Sequence, residues 1–69
     1  MLTLMPTLVE NSLQIAWDFL GGCGEIGDQQ EAAEFLIRDI NVQIFKGERR
    51  MLMLSNRAID AYRRHRLAA

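Results

Sequence analysis

The 69-residue chain is 49% hydrophobic and 25% charged, with a formal net charge of −1, which describes a single folded domain rather than a disordered segment. One cysteine and one histidine exclude an internal disulfide and leave no ligand cluster for a metal site. A core this small typically supplies only ~3–5 kcal/mol, so with both staples excluded oligomerisation is the expected source of further stability.

Met1 to Met5 is apolar and poor in turn signals. Pro6 suits the first turn of a helix, where its missing N–H is no loss. From there to Leu20 the pattern is helical. Leu8, Val9, Leu13, Ile15, Ala16, Trp17, Phe19 and Leu20 cover roughly 200° of the helical wheel, which implies contact with two neighbours. Trp17 is the largest of these side chains and the expected anchor. Ser12 falls inside the apolar arc, where a hydroxyl can bond back to its own helix.

Residues 21–27 hold four glycines and break the helix after Leu20. Ile26 is expected to tuck into the core. Gly22-Cys23-Gly24-Glu25-Ile26-Gly27 spells a dinucleotide-binding pattern, but that mechanism needs a strand before the glycines and a phosphate-tolerant setting. A helix precedes them here, and Glu25 and Asp28 repel phosphate. An interhelical loop is the reading. Cys23 lies near acids in sequence, which does not favour a reactive thiolate. Leu20-Gly21-Gly22-Cys23 also resembles a lipoprotein cleavage site. No Lys or Arg precedes Arg38, however, and Glu10 and Asp18 interrupt the apolar run, so export is not expected. No apolar run approaches the ~20 residues of a membrane span. A reducing cytoplasm is the expected location.

The strongest helical signal runs from Asp28 to Lys46. Asp28 and Glu31 have the spacing of a capping box, and Gly47 supplies a left-handed stop beyond Lys46. Ala32, Ala33, Leu36, Ile37, Ile40 and Ile44 form the main apolar arc at ~100° per residue. Glu34 and Arg38 stand i,i+4 elsewhere on the helix. Phe35 and Val42 form a second stripe, and Phe45 lies on a third side. With Trp17, these three are the candidate protein–protein interface.

After Gly47 the chain restarts within about two residues, a length that predicts an antiparallel helical hairpin. Met51, Leu52, Leu54, Ser55, Ala58, Ile59, Ala61 and Tyr62 form its apolar arc. Arg50, Arg57 and Arg64 recur every seven residues on the other side, and Met53 lies there too. Asp60 stands four before Arg64, a surface pair. His65, between Arg64 and Arg66, is expected to be solvated. Residues 1–45 hold seven acids against one base, −6, whereas residues 46–69 hold seven bases against two acids, +5. The arginine stripe is read first as a structural partner for acidic helices or a plain solvated face, then as a track along a nucleic-acid backbone, and last as a contact for an acidic protein or membrane surface.

The expected fold is all-α: one domain over residues 1–69, with helices near 6–20, 28–46 and 49–66, the last two a hairpin, completed by homo-oligomerisation and most simply a dimer. The expected role is a small protein–protein interaction or accessory module. The alternative is a nucleic-acid-associated regulator using Arg50, Arg57 and Arg64. No catalytic residue, cofactor or metal ligand is assigned, and no enzyme activity is expected.

Overall fold

A computed structural model describes residues 8–68, which form three helices and no strand. They are α1 (Leu8–Gly22), α2 (Gln29–Phe45) and α3 (Met51–Ala68), and each packs against the other two. The assignment of Pro6 to a first helical turn lies outside the described residues.

The helix ends follow from local chemistry, with one correction. Gly21 and Gly22 do not break α1; both remain helical, and the stop comes at Gly24, whose φ is +70°. The Glu25 N–H donates to Leu20 C=O at 2.8 Å and the Gly24 N–H to Gly21 C=O at 3.1 Å, the paired bonds of a Schellman cap. A single left-handed residue ends a helix, whereas glycine in a helix interior only weakens it. α2 stops in the same way at Gly47 (φ +110°), with Glu48 N–H donating to Gln43 C=O and Gly47 N–H to Ile44 C=O.

At the start of α2, the Asp28 carboxylate accepts from Glu31 N–H at 2.9 Å. The return half of the box is replaced, since the Glu31 carboxylate lies against His65 Nε2 at 3.3 Å. Glu34 accepts from Gln30 Nε2 at 3.4 Å. α3 begins at Met51, two residues later than the sequence suggests. Glu48 holds both the Arg49 and Arg50 N–H groups there, at 3.2 and 2.9 Å, in a turn ahead of the helix.

The core consists of Ala16 and Leu20 from α1, Ala32, Leu36 and Ile40 from α2, and Leu54, Ala58, Ile59 and Tyr62 from α3. Leu13, Trp17, Ile26, Phe35 and Ile44 pack around it, so Ile26 does reach the core edge. Small residues (Ser12, Ala16, Ala32, Ser55 and Ala58) are fully buried, which lets the helices approach closely.

The buried face of α2 is rotated from the predicted arc. Its centre runs through Ala32, Leu36, Ile40 and Gln43, roughly 45° from the predicted centre at ~100° per residue. Ile37, assigned to the main arc, is 37% exposed. Gln43 lies on the buried side with its Oε1 unpartnered among the described residues. Its amide Nε2 donates to Leu54 C=O at 3.1 Å and to the Asp39 carboxylate at 2.8 Å, which ties α2 to α3 with a buried polar group. Leu52 is likewise exposed rather than in the core. Ile59, seven residues on along the same stripe, shares a cleft with Ile15 and Phe19 of α1, whereas Leu52 stands at the very start of α3.

The two buried serines differ. Ser55 Oγ donates back to Met51 and Leu52 carbonyls, both at 3.1 Å. Ser12 Oγ, expected to do the same, has no hydrogen-bond partner among the described residues.

Candidate functional site

The four apolar candidates divide into two pairs. Trp17 and Phe35 are half-buried and pack against the chain's own core. Phe35 meets Tyr62 edge-on, with ring centroids 5.7 Å apart, and stacks on His65 at 4.7 Å. The second stripe is thus covered from within the chain at Phe35, by Tyr62 and His65 of α3, but not at Val42. Val42 and Phe45, in contrast, are 45% and 90% exposed. They lie three apart near the end of α2, so their side chains share one side of the helix. Leu52, 68% exposed at the start of α3, stands across the same connection. Sequence periodicity assigned Leu52 to the core, because a helical wheel records direction around an axis and not position along a neighbour.

His65 is not simply solvated. It lies flat on Phe35 (interplanar angle 27°) with Nε2 beside the Glu31 carboxylate, so it links the end of α3 to the first turn of α2.

The arginines of the proposed nucleic-acid stripe each have a carboxylate of this chain close by. Glu48 Oε2 accepts from Arg50 Nε at 3.1 Å, and Glu48 Oε1 lies 3.5 Å from Arg57 Nη1. Arg64 pairs with Asp60. The hydrogen bond from the Arg50 side chain, aided by the two backbone N–H groups, draws the Glu48 carboxyl from its ordinary value of 4.5 to about 2. The same bond raises Arg50. Arg49 takes a different role: its Nη1 donates to the Ile44 carbonyl at 2.6 Å, a second bond to an acceptor at the end of α2 that already receives Gly47 N–H.

The Gly-rich loop receives Arg63 and Arg66. Arg63 forms a two-point pair with Glu25 (Nε to Oε1 2.6 Å, Nη2 to Oε2 3.0 Å) and lies over the Phe19 ring at 5.2 Å. The hydrogen bond from Arg63 lowers the Glu25 carboxyl, and in turn raises Arg63. Arg66 donates to the Glu25 carbonyl, and the Gly27 N–H donates to Tyr62 Oη at 3.3 Å. The dinucleotide-like glycines are therefore a joint between two helices, braced by α3. Cys23 is exposed in this loop. Sequence reasoning missed Glu25, Gln43 and Glu48 as organising residues. Their signal was present only as an acid beside a glycine stop, or as a single glutamine near the end of an apolar arc.

Among the described residues, no group of His, Cys, Asp or Glu gathers in a way that could hold a metal ion, and no helix is long and apolar enough to cross a membrane. No protein family, curated protein or solved structure matches the chain.

Proposed function

We propose that the chain is a small helical protein–protein interaction module that self-associates, most simply as a dimer. The carrying observation is the end of α2, where Val42 and Phe45, neighbours three residues apart, stand 45% and 90% exposed. Single exposed apolar residues are ordinary, but neighbouring exposed apolar side chains are a feature of interaction sites. Within this reading α2 and α3 form an antiparallel hairpin. The bond from Gln43 to Leu54 near their connection, and the contact of Glu31 with His65 at the opposite ends, support it. A cytoplasmic location and the absence of enzyme activity belong to the same reading.

The nucleic-acid alternative draws less support from the geometry. Glu48 lies between Arg50 and Arg57, and Asp60 beside Arg64, so a phosphate approaching the stripe meets carboxylates at each step. Its expected signature, binding to mixed DNA or RNA that weakens steeply with salt, is a direct check.

Analytical ultracentrifugation from low to high micromolar concentration tests the main reading. The expected result is a dimer that Val42→Asp converts to a folded monomer. A compact 7.9 kDa species throughout that range would overturn it. Val42 is a better probe than Phe35, whose replacement also removes the edge-on contact with Tyr62 and the stack on His65.

A further inference from the structure

The connection between α2 and α3 combines projecting apolar side chains with cations that no carboxylate holds. Phe45, the last residue of α2, is 90% exposed, and Leu52, the second residue of α3, is 68% exposed. The bond from Gln43 to Leu54 sets the two helices side by side here, and Phe45 and Leu52 each stand two residues nearer the connection. Both therefore lie at one end of the bundle. Residues 45–52 hold three bases (Lys46, Arg49, Arg50) against one acid (Glu48), a net +2 in a chain whose total is −1. We infer that this end docks on an anionic lipid bilayer, with Phe45 and Leu52 entering the interface and Lys46 and Arg49 meeting the headgroups.

The charge at this end is available to a partner. The Glu48 carboxylate already holds Arg50, Arg57 and two backbone N–H groups. Lys46 and Arg49 are exposed, and among the described residues neither pairs with an acid; the Arg49 guanidinium donates to the Ile44 and Glu48 carbonyls instead. Free cations beside exposed apolar groups suit a surface that is anionic outside and apolar beneath, which describes a bilayer of acidic lipids. A soluble polyanion uses the cations and leaves Phe45 and Leu52 in water. A folded protein partner needs complementary shape, whereas Phe45 projects, and Leu52 shares only a shallow dip with its own neighbours Arg50, Met51 and Met53. A bilayer is fluid and accepts separate projecting side chains, provided that they share one end. Two such side chains and two free cations give weak, reversible attachment, no stronger than roughly that of one acyl chain, about 10⁴ M⁻¹. The inference does not depend on a dimer. Phe45 belongs to both surfaces, so lipid and a second copy exclude one another there.

The test is co-sedimentation of the full chain with vesicles at millimolar lipid. Vesicles of phosphatidylcholine and phosphatidylserine in equal parts should bind the wild type, and pure phosphatidylcholine should bind it at least about tenfold less. Lys46→Gln and Arg49→Gln should each weaken binding about fivefold, and Phe45→Ala about tenfold or more. Absence of binding to the anionic vesicles overturns the inference, as does equal binding to the two kinds of vesicle. So does a Phe45→Ala variant that binds like the wild type, because that outcome describes a surface for polyanions in general. Insertion is read separately. Trp17 packs beside Ala33, twelve residues before Phe45 and so about 18 Å away along α2, and serves as the internal control. Phe45→Trp should show quenching by lipids brominated on their acyl chains that the wild type lacks. Quenching no greater than that of the wild type would overturn the insertion of this side chain and the inference with it.

Discussion

The two connections of this bundle stop their helices by the same device and then diverge. At Gly24 and at Gly47 a left-handed glycine completes a Schellman cap. The α1–α2 connection then spends its polar groups on α3: Glu25 on Arg63, the Glu25 carbonyl on Arg66, the Gly27 N–H on Tyr62. The α2–α3 connection keeps its polar groups nearer in sequence, with Glu48 serving Arg49, Arg50 and Arg57, and Arg49 serving the end of α2. One connection is thereby closed by contacts distant in sequence. The other is tidy in its hydrogen bonds but leaves Val42, Phe45 and Leu52 in solvent. A satisfied backbone and a covered apolar surface are separate requirements, and a short turn meets the first far more easily than the second.

The sharpest way to break this contrast is to truncate one aromatic on each side. Tyr62 is 1% exposed and Phe45 is 90% exposed. Tyr62→Ala should cost about 3–5 kcal/mol, comparable with the whole stability of so small a domain, and leave the chain largely unfolded by circular dichroism. Phe45→Ala should change the stability of the monomer by no more than about 0.5 kcal/mol while weakening self-association. Similar denaturation midpoints for the two variants, measured at a concentration where both are monomeric, would erase the distinction.

The shared stop is tested next. Alanine at a left-handed position costs ~1–2 kcal/mol, so Gly24→Ala and Gly47→Ala should both destabilise. Gly47→Ala should be the worse, because φ +110° lies further from the region an L-residue tolerates than φ +70° does. Urea titration of the pair would show it, and a neutral Gly47→Ala would count against the cap. A smaller effect is expected from Tyr62→Phe. It removes only the hydroxyl that accepts from Gly27 N–H, a loss of about 0.5–1.5 kcal/mol, and amide exchange should quicken at Gly27 while the core is unchanged. Exchange at Gly27 that does not respond would remove that bond from the account of the closed connection.

The least disruptive probe is acid. Glu25 and Glu48 are both lowered from 4.5, Glu48 to about 2. A carboxyl with a depressed value in the folded chain contributes stability that is complete above its unfolded value and is lost as pH falls through the folded one. The stability contributed by Glu48 should therefore decline from about pH 4.5 towards about 2. Glu48→Gln should flatten this decline, as should Glu25→Gln, since each removes a proton-binding site from the transition. Both pairs are solvent-accessible, so the acid sensitivity should diminish in high salt. Parallel acid titrations of both variants and the wild type would contradict the pairing of these carboxylates with their arginines.

Much of the architecture is encoded locally. The number of helices, the cap at Asp28, the stop at Gly47 and the break in the glycine run depend on groups within a few residues of one another, so the sequence by itself determined them. The Asp60–Arg64 pair is local in the same sense. Other features required the packed chain. The buried face of α2 includes Gln43, which reaches Leu54, and a hydrophobic pattern cannot anticipate a buried polar residue whose partner lies on another helix. The partners of Arg63 and His65, thirty-eight and thirty-four residues away, were invisible for the same reason. The candidate surface divides along that line. Phe45 stood outside every apolar arc in the sequence and is exposed, whereas Phe35, which looked equally unpartnered, is covered by Tyr62 and His65. A helical wheel fixes the direction of a side chain; only the placement of the neighbouring helices decides whether anything lies in that direction.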